Sequence, residues 1–173
     1  NMKSAKPICT LLIAAMCSCT NSTAPARGEQ QETTDTVQQT AVLKPEKVYK
    51  ELTHEPGVVF YDITLEEALE KAKNEGKYVL IDCHTKTCGP CHKMEKGVFP
   101  QEKLGKFMNE RFVPVMMDME EGEGLKVAEK YNIQIFPTML VLLPNGAKEG
   151  EIVGAEFDID SLIGMLKTII HEE

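Results

Sequence analysis

The chain has 173 residues, a formal net charge of −8 and no tryptophan. It is acidic and carries no basic stripe, so it is ill suited to a phosphate backbone and no nucleic-acid partner is expected; anionic lipid would attract it little. Of its six cysteines, Cys9, Cys17 and Cys19 lie near the N-terminus. The other three, Cys83, Cys88 and Cys91, cannot all pair within one molecule, so this is no disulfide-stapled scaffold.

In chain order, Lys3 and Lys6 precede a short apolar run at 8–16. A charged start followed by such a run is the pattern of a secretory signal. The run is well short of the roughly 20 apolar residues that span a bilayer as a helix. "AAMCSCTN" resembles a bacterial lipoprotein signal with Cys19 as the lipidated residue, which sets a signal segment of 1–19; Ala24-Pro25-Ala26 offers an alternative cut. Residues 20–44 are dominated by Ser, Thr, Gln, Glu and Pro. Such a segment cannot bury enough surface to offset its ordering entropy and reads as a flexible polar tether. Residues 45–173 then make one domain of ordinary size. The expectation is an exported protein, periplasmic or on the outer face, held at a membrane by lipid on Cys19.

Within the domain, "GVVFYDI" (57–63) reads as a strand. Thr64 and Glu67 form a capping box, and Leu65, Ala68, Leu69 and Ala72 share one face of the helix it opens. Gly76 stops that helix. "KYVLIDCH" (77–84) is a strand with so little polar alternation that both faces should be buried. "CHKMEKGVF" (91–99) reads as helix up to Pro100, and "QEKLGKFMNER" (101–111) resumes it. A strand at 112–119, with Pro114 its weak point, a helix at 124–132 and a strand at 138–143 follow. After the Pro144-Asn145-Gly146 turn, "EIVGAEF" (151–157) reads as a hairpin partner, and 158–173 as an amphipathic closing helix with Leu162, Leu166 and Ile169 on one side. The alternation of β and α predicts an α/β fold with a mostly parallel sheet covered by helices and an antiparallel edge.

The chemistry is concentrated in "TKTCGPCHKM" (85–94), which follows the buried strand directly. Cys88 falls at a helix N-terminus, where unpaired N–H groups and the helix dipole favour a thiolate. Cys91 falls inside the helix and should be shielded. An activated outer sulfur backed by an inner one suits disulfide exchange: Cys88 attacks, and Cys91 resolves the mixed disulfide. Pro90 fits the first turn, where its missing N–H costs little. Asp82, on the strand, has two readings. Buried, it has a raised pKa and can accept the Cys91 proton; exposed, it is a surface residue at a strand end.

"VLIDCHTKTCGPCHKM" resembles the thioredoxin active-site segment, and "YNIQIFPTMLVLLPNG" with "VGA" is similar to the second half of that fold. The resemblance covers about 57–170 and is closer to secreted thioredoxin-like reductases, including the soluble domain of thiol-disulfide interchange proteins, than to cytosolic thioredoxin. It implies a thioredoxin fold with a central mixed sheet of four to five strands. It implies a protein-disulfide reductase with Cys88, Cys91 and Asp82 in the catalytic roles, supported by Gly89 and Pro90. It also implies a cis Pro137 that, with Phe136 and Thr87, shapes the substrate groove. Thr87 stands where the family usually has Trp, His84 occupies another usual aromatic position, and Phe136 is larger than usual. Gly-Pro between the cysteines resembles the reducing members. Protein disulfides are the expected substrates and a membrane-embedded donor the expected electron source. No cofactor beyond the redox-active Cys88–Cys91 disulfide is expected, because no dinucleotide or phosphate-loop fingerprint is present.

Two rival readings remain. His84, Cys88, Cys91 and His92 are zinc-ligand types, but no second C-x-x-C exists and metal is not expected. The alternative to an enzyme is a non-catalytic thioredoxin-fold interaction domain with permanently oxidised cysteines. Cys83 is either a small buried core residue or a third redox thiol.

Overall fold

The computed structural model describes residues 51–52 and 56–173. The expected signal segment, the tether and Cys9, Cys17 and Cys19 lie outside the described residues. Helix α1 (Leu65–Glu75) begins as its sequence dictates: the Glu67 N–H donates to Thr64 Oγ1 and the Thr64 N–H donates back to Glu67. Gly76, at φ 67°, ends it in the left-handed conformation that costs glycine least. The chain then enters β1 (Tyr78–His84), α2 (Gly89–Gly97), α3 (Glu102–Arg111) and β2 (Phe112–Asp118). It finishes with α4 (Gly122–Tyr131), β3 (Thr138–Leu142), β4 (Lys148–Val153) and α5 (Ile159–Ile169).

The four strands form one sheet in the order β2-β1-β3-β4. Strand β1 pairs in parallel with β2 and antiparallel with β3, and β3 pairs antiparallel with β4. The sheet is therefore mixed, with a single parallel pair rather than mostly parallel strands. His84 pairs with Asp118 and Cys83 with Thr138, so the chain leaves β2 and re-enters at β3 from the same end of the sheet. Alternation of element types does not carry that direction.

Strand β1 is buried on both faces, and its side chains sort by parity. Leu80 packs with Met94 of α2, Val98 at its C-cap, Leu104 of α3 and Leu166 of α5. Val79, Ile81 and Cys83 pack on the opposite face with Ala68 of α1 and Val127 of α4. Pro114 is tolerated in β2 because its carbonyl accepts from Tyr61 N (3.0 Å), away from β1. Its nitrogen points the same way, so no ladder bond to β1 is lost.

Two expected elements differ. The 57–63 stretch is not a strand: among the described residues it touches the sheet through one bridge, Tyr61 to Val115. Its apolar residues are buried, with Val58 and Phe60 at 1% and 0% exposure. Its backbone groups are taken elsewhere, Val58 N by Phe99 O (2.8 Å) and Val59 N by Asn109 Oδ1 (2.9 Å). Asn109 Nδ2 also donates to Gly57 O (3.1 Å). A buried segment satisfied by a side chain looks like a strand in sequence. Strand β4 starts earlier than expected because Asn145 Oδ1 accepts from Ala147 N and closes a tight turn. It ends at Val153 because Gly154, at φ 92°, leaves the ladder.

Replacing Asn109 by Ala strips two backbone groups of their partners, so it should lower stability by about 2 kcal/mol in urea unfolding. Glu110→Ala, one residue on and exposed, should change it by less than about 0.5 kcal/mol.

Candidate active site

The turn from β1 into α2 places the thiol pair. The Cys88 N–H donates to Thr85 O (3.1 Å), closing a turn that makes Cys88 the N-cap of α2. The cap backbone is extended (φ −76°, ψ 98°), and the Cys91 N–H donates to Cys88 Sγ (3.2 Å). The sulfur therefore occupies the place a capping oxygen would take, facing N–H groups that favour negative charge. Cys88 and Cys91 are disulfide-bonded with Cα atoms 5.3 Å apart. Cys88 is half-buried and Cys91 is 5% exposed, so the two sulfurs differ in access as their spacing implied. Pro90 sits in the first turn. A Cβ on the exposed Gly89 would meet nothing, so this residue leaves the approach to Cys88 open.

Asp82 is 2% exposed, which excludes the surface reading. Strand parity puts it with Leu80 on the face that α2 covers, and its cross-strand neighbours are Met116 and Met139. Burial in this apolar setting pushes its carboxyl from 3.8 up to about 6; His84 opposes that rise and Glu95 adds to it. The His84 Nδ1 lies 3.9 Å from Asp82 Oδ2 and 3.3 Å from the Asp82 carbonyl. Cys83 sits on the other face, fully buried, with its thiol near Ile81 O (3.7 Å). Burial pushes that thiol far above its ordinary range. The fold does not bring Cys83 together with the pair, and its setting is that of a core residue.

The peptide bond Phe136–Pro137 is cis. Thr138, the next residue, pairs with Cys83, so this bond lies at the end of the sheet from which β1 delivers the cysteines. Pro137 is buried and Phe136 half-buried, while Thr87 is exposed. The Gly154 N–H donates to Pro137 O (2.8 Å), and Thr138 Oγ1 donates to Ile135 O (2.8 Å). His92 Nε2 donates to Lys86 O (3.0 Å), with Nδ1 3.5 Å from Glu95, and so pins the loop before Cys88 to α2.

Residues 65–170 match the family model described as a thioredoxin-like domain, which covers more than half of the chain. The chain belongs to this thioredoxin-like family. Its relatives include the H-type thioredoxin of Oryza sativa subsp. indica, 40% identical over 90 residues that make up 52% of this chain and 68% of the relative. Spermatogenesis-associated protein 20 of Rattus norvegicus is 45% identical over 56 residues, 32% of this chain, and the chain spans 7% of that protein's length. Among solved structures, a Bacteroides thetaiotaomicron protein described as a candidate disulphide-isomerase superposes with a TM-score of 0.62 at 35% identity. That match covers 70% of this chain and 99% of the other.

In this thioredoxin-like domain the sequence-predicted residues fall into two groups at one end of the sheet. Cys88, Cys91, Gly89, Pro90 and Thr87 come with the β1–α2 turn, and Phe136 and Pro137 with the entry to β3. Sequence reasoning left two residues without a role. Gly154 holds the Pro137 carbonyl, and the signal for it was a lone glycine after a strand. Glu95 influences Asp82 from α2, and its four-residue distance from Cys91 was the available signal.

The raised Asp82 pKa has a consequence for stability. Below the unfolded-state value of 3.8 the carboxyl is neutral in both states and costs nothing. As pH rises from there to about 6 the unfolded chain ionises first, so stability is lost, and the loss is complete above about 6. Asp82→Asn should therefore be more stable than the native protein by roughly 3 kcal/mol at pH 7. Urea unfolding of the oxidised proteins should show that gain vanish below the unfolded-state value.

Proposed function

We propose that this protein is an exported protein-disulfide reductase of the thioredoxin-like family. One observation carries the reading: a half-buried sulfur caps a helix, joined to a buried sulfur on the helix that covers Asp82. In the reduced protein Cys88 is the thiolate. It attacks one sulfur of a substrate disulfide; the substrate S–S bond breaks, the first leaving thiolate takes up a proton, and a mixed disulfide forms on Cys88. Cys91 then gives its proton to the Asp82 carboxylate and attacks Cys88 Sγ. The Cys88–Cys91 bond forms, the mixed disulfide breaks and the second substrate thiolate departs to be protonated from solvent. Two electrons pass from the dithiol to the substrate.

In this reading Phe136 and Pro137, at the entry to β3, and Thr87, beside Cys88, make the substrate contact surface. With no aromatic ring at 87, substrate contact falls on backbone and on the Phe136 side chain. Turnover needs a membrane-embedded electron donor to reduce the Cys88–Cys91 disulfide again. Export and a lipid on Cys19 fit the N-terminal sequence, and no helix among the described residues is long and apolar enough to cross a membrane.

Cys91→Ser should accumulate mixed disulfides on Cys88 in cells, visible as adducts on non-reducing gels that vanish with thiol reductant. Cys88→Ser should give none and should lower disulfide reduction to background. Recovery of no adducts from Cys91→Ser, together with a dithiol that thioredoxin-strength reductants leave oxidised, would instead mark a non-catalytic interaction domain.

A further inference from the structure

Resolution of the mixed disulfide leaves a proton on a carboxyl that is almost fully buried, and the site cannot turn over until that proton leaves. Asp82 is 2% exposed. Both of its cross-strand neighbours are methionines, Met116 on β2 and Met139 on β3, which carry no proton. From α2 the titratable groups that face it are Cys91, the proton source, and Glu95, an exposed acid that would repel the carboxylate. On β1 itself the partner is His84. Its ring lies 3.9 Å from the carboxylate at Nδ1, and its side chain is 22% exposed. Asp118 stands opposite His84 on β2, and its carboxylate is engaged with Glu120 N (2.9 Å). His84 Nε2 makes no hydrogen bond within the described residues. The imidazole thus reaches from the buried acid to the surface.

We infer that His84 is the proton outlet of this site, a positioning residue that acts through Asp82. This rests on the dithiol reading above. A proton shared by Asp82 and His84 can sit on the inner carboxyl or on the outer ring with no net change in buried charge. When the Cys91 thiol passes its proton to Asp82, a small ring rotation or one water closes the 3.9 Å gap, the His84 ring takes that proton at Nδ1 and gives one to water at Nε2. No electrons move in these steps; the proton lost by Cys91 equals the one gained by solvent. A lone aromatic ring at 84 would pack as well but would leave Asp82 without a cation and without an exit.

The test is stopped-flow reaction of the reduced full chain with the aryl disulfide dithiobis(nitrobenzoate), with Cys88→Ser giving the background from the other thiols. Attack by Cys88 releases one nitrothiobenzoate, and resolution by Cys91 releases a second. In His84→Phe the first release should keep its rate, which also reports an intact helix. The second should slow about tenfold at neutral pH, since water replaces a positioned base only in part. Its pH midpoint should move upward, because the carboxylate has lost its cationic neighbour. In His84→Ala, added imidazole should restore the second phase, which a merely structural role would not allow. A normal first phase with a second phase unmoved in rate and midpoint, or no rescue by imidazole, overturns the relay alone. Absence of a fast first phase in the native protein overturns the dithiol reading and the relay with it.

Discussion

Everything at the reactive end of this domain depends on water being kept away from one carboxyl group. Asp82 belongs to the central strand, which is covered on both faces, and it lies on the face where α2 packs. The same packing that hides Asp82 hides the Cys91 sulfur and turns Cys88 outward at the helix cap. The exposure difference between the sulfurs and the raised carboxyl pKa are thus one fact seen two ways. The fold accepts a penalty in stability to hold a group that is useful because it is uncomfortable.

Much of this was legible in the sequence because it rests on local rules. The capping box at Thr64, the unbroken apolar run of β1 and the Cys-Gly-Pro-Cys turn each state their structure within a few residues. What escaped depends on partners distant in the chain. The 57–63 stretch has strand composition, yet Asn109, 50 residues from Val59, takes the backbone group that a sheet would have used. The direction of β3 is a matter of which end of the sheet the chain re-enters, and no propensity encodes it. Asp82 was balanced between a surface and a buried reading until the helix above it was placed, since strand parity names a face without naming what lies on it.

The Pro137 side of the site shows a similar division of labour. Pro137 is held by Gly154, the residue just past β4, so this edge of the site is fixed by the end of the last hairpin rather than by the thiol segment. The reactive pair and the surface beside it are therefore built by opposite halves of the domain, joined through the β1–β3 ladder. In the proposed reductase, changes at Phe136 would alter which chains fit without disturbing the helix that carries the sulfurs. In the same proposal the apolar contact that Thr87 lacks falls to Phe136, on the other half.

The Asn109 clamp also decides how the domain would bear a pull. Residues 57–61 are fastened by two hydrogen bonds to Asn109 of α3, one to the loop after α2 and a bridge to the outer edge of β2, and Phe60 O accepts from Leu52 N. Tension arriving at Leu52 is handed to Phe60 and from there to the edge of β2 and to α3 before it reaches the central ladder. Because Val58 and Phe60 share an apolar cluster with Met94 of the thiol helix, such a load would be passed on to the packing beneath the sulfurs.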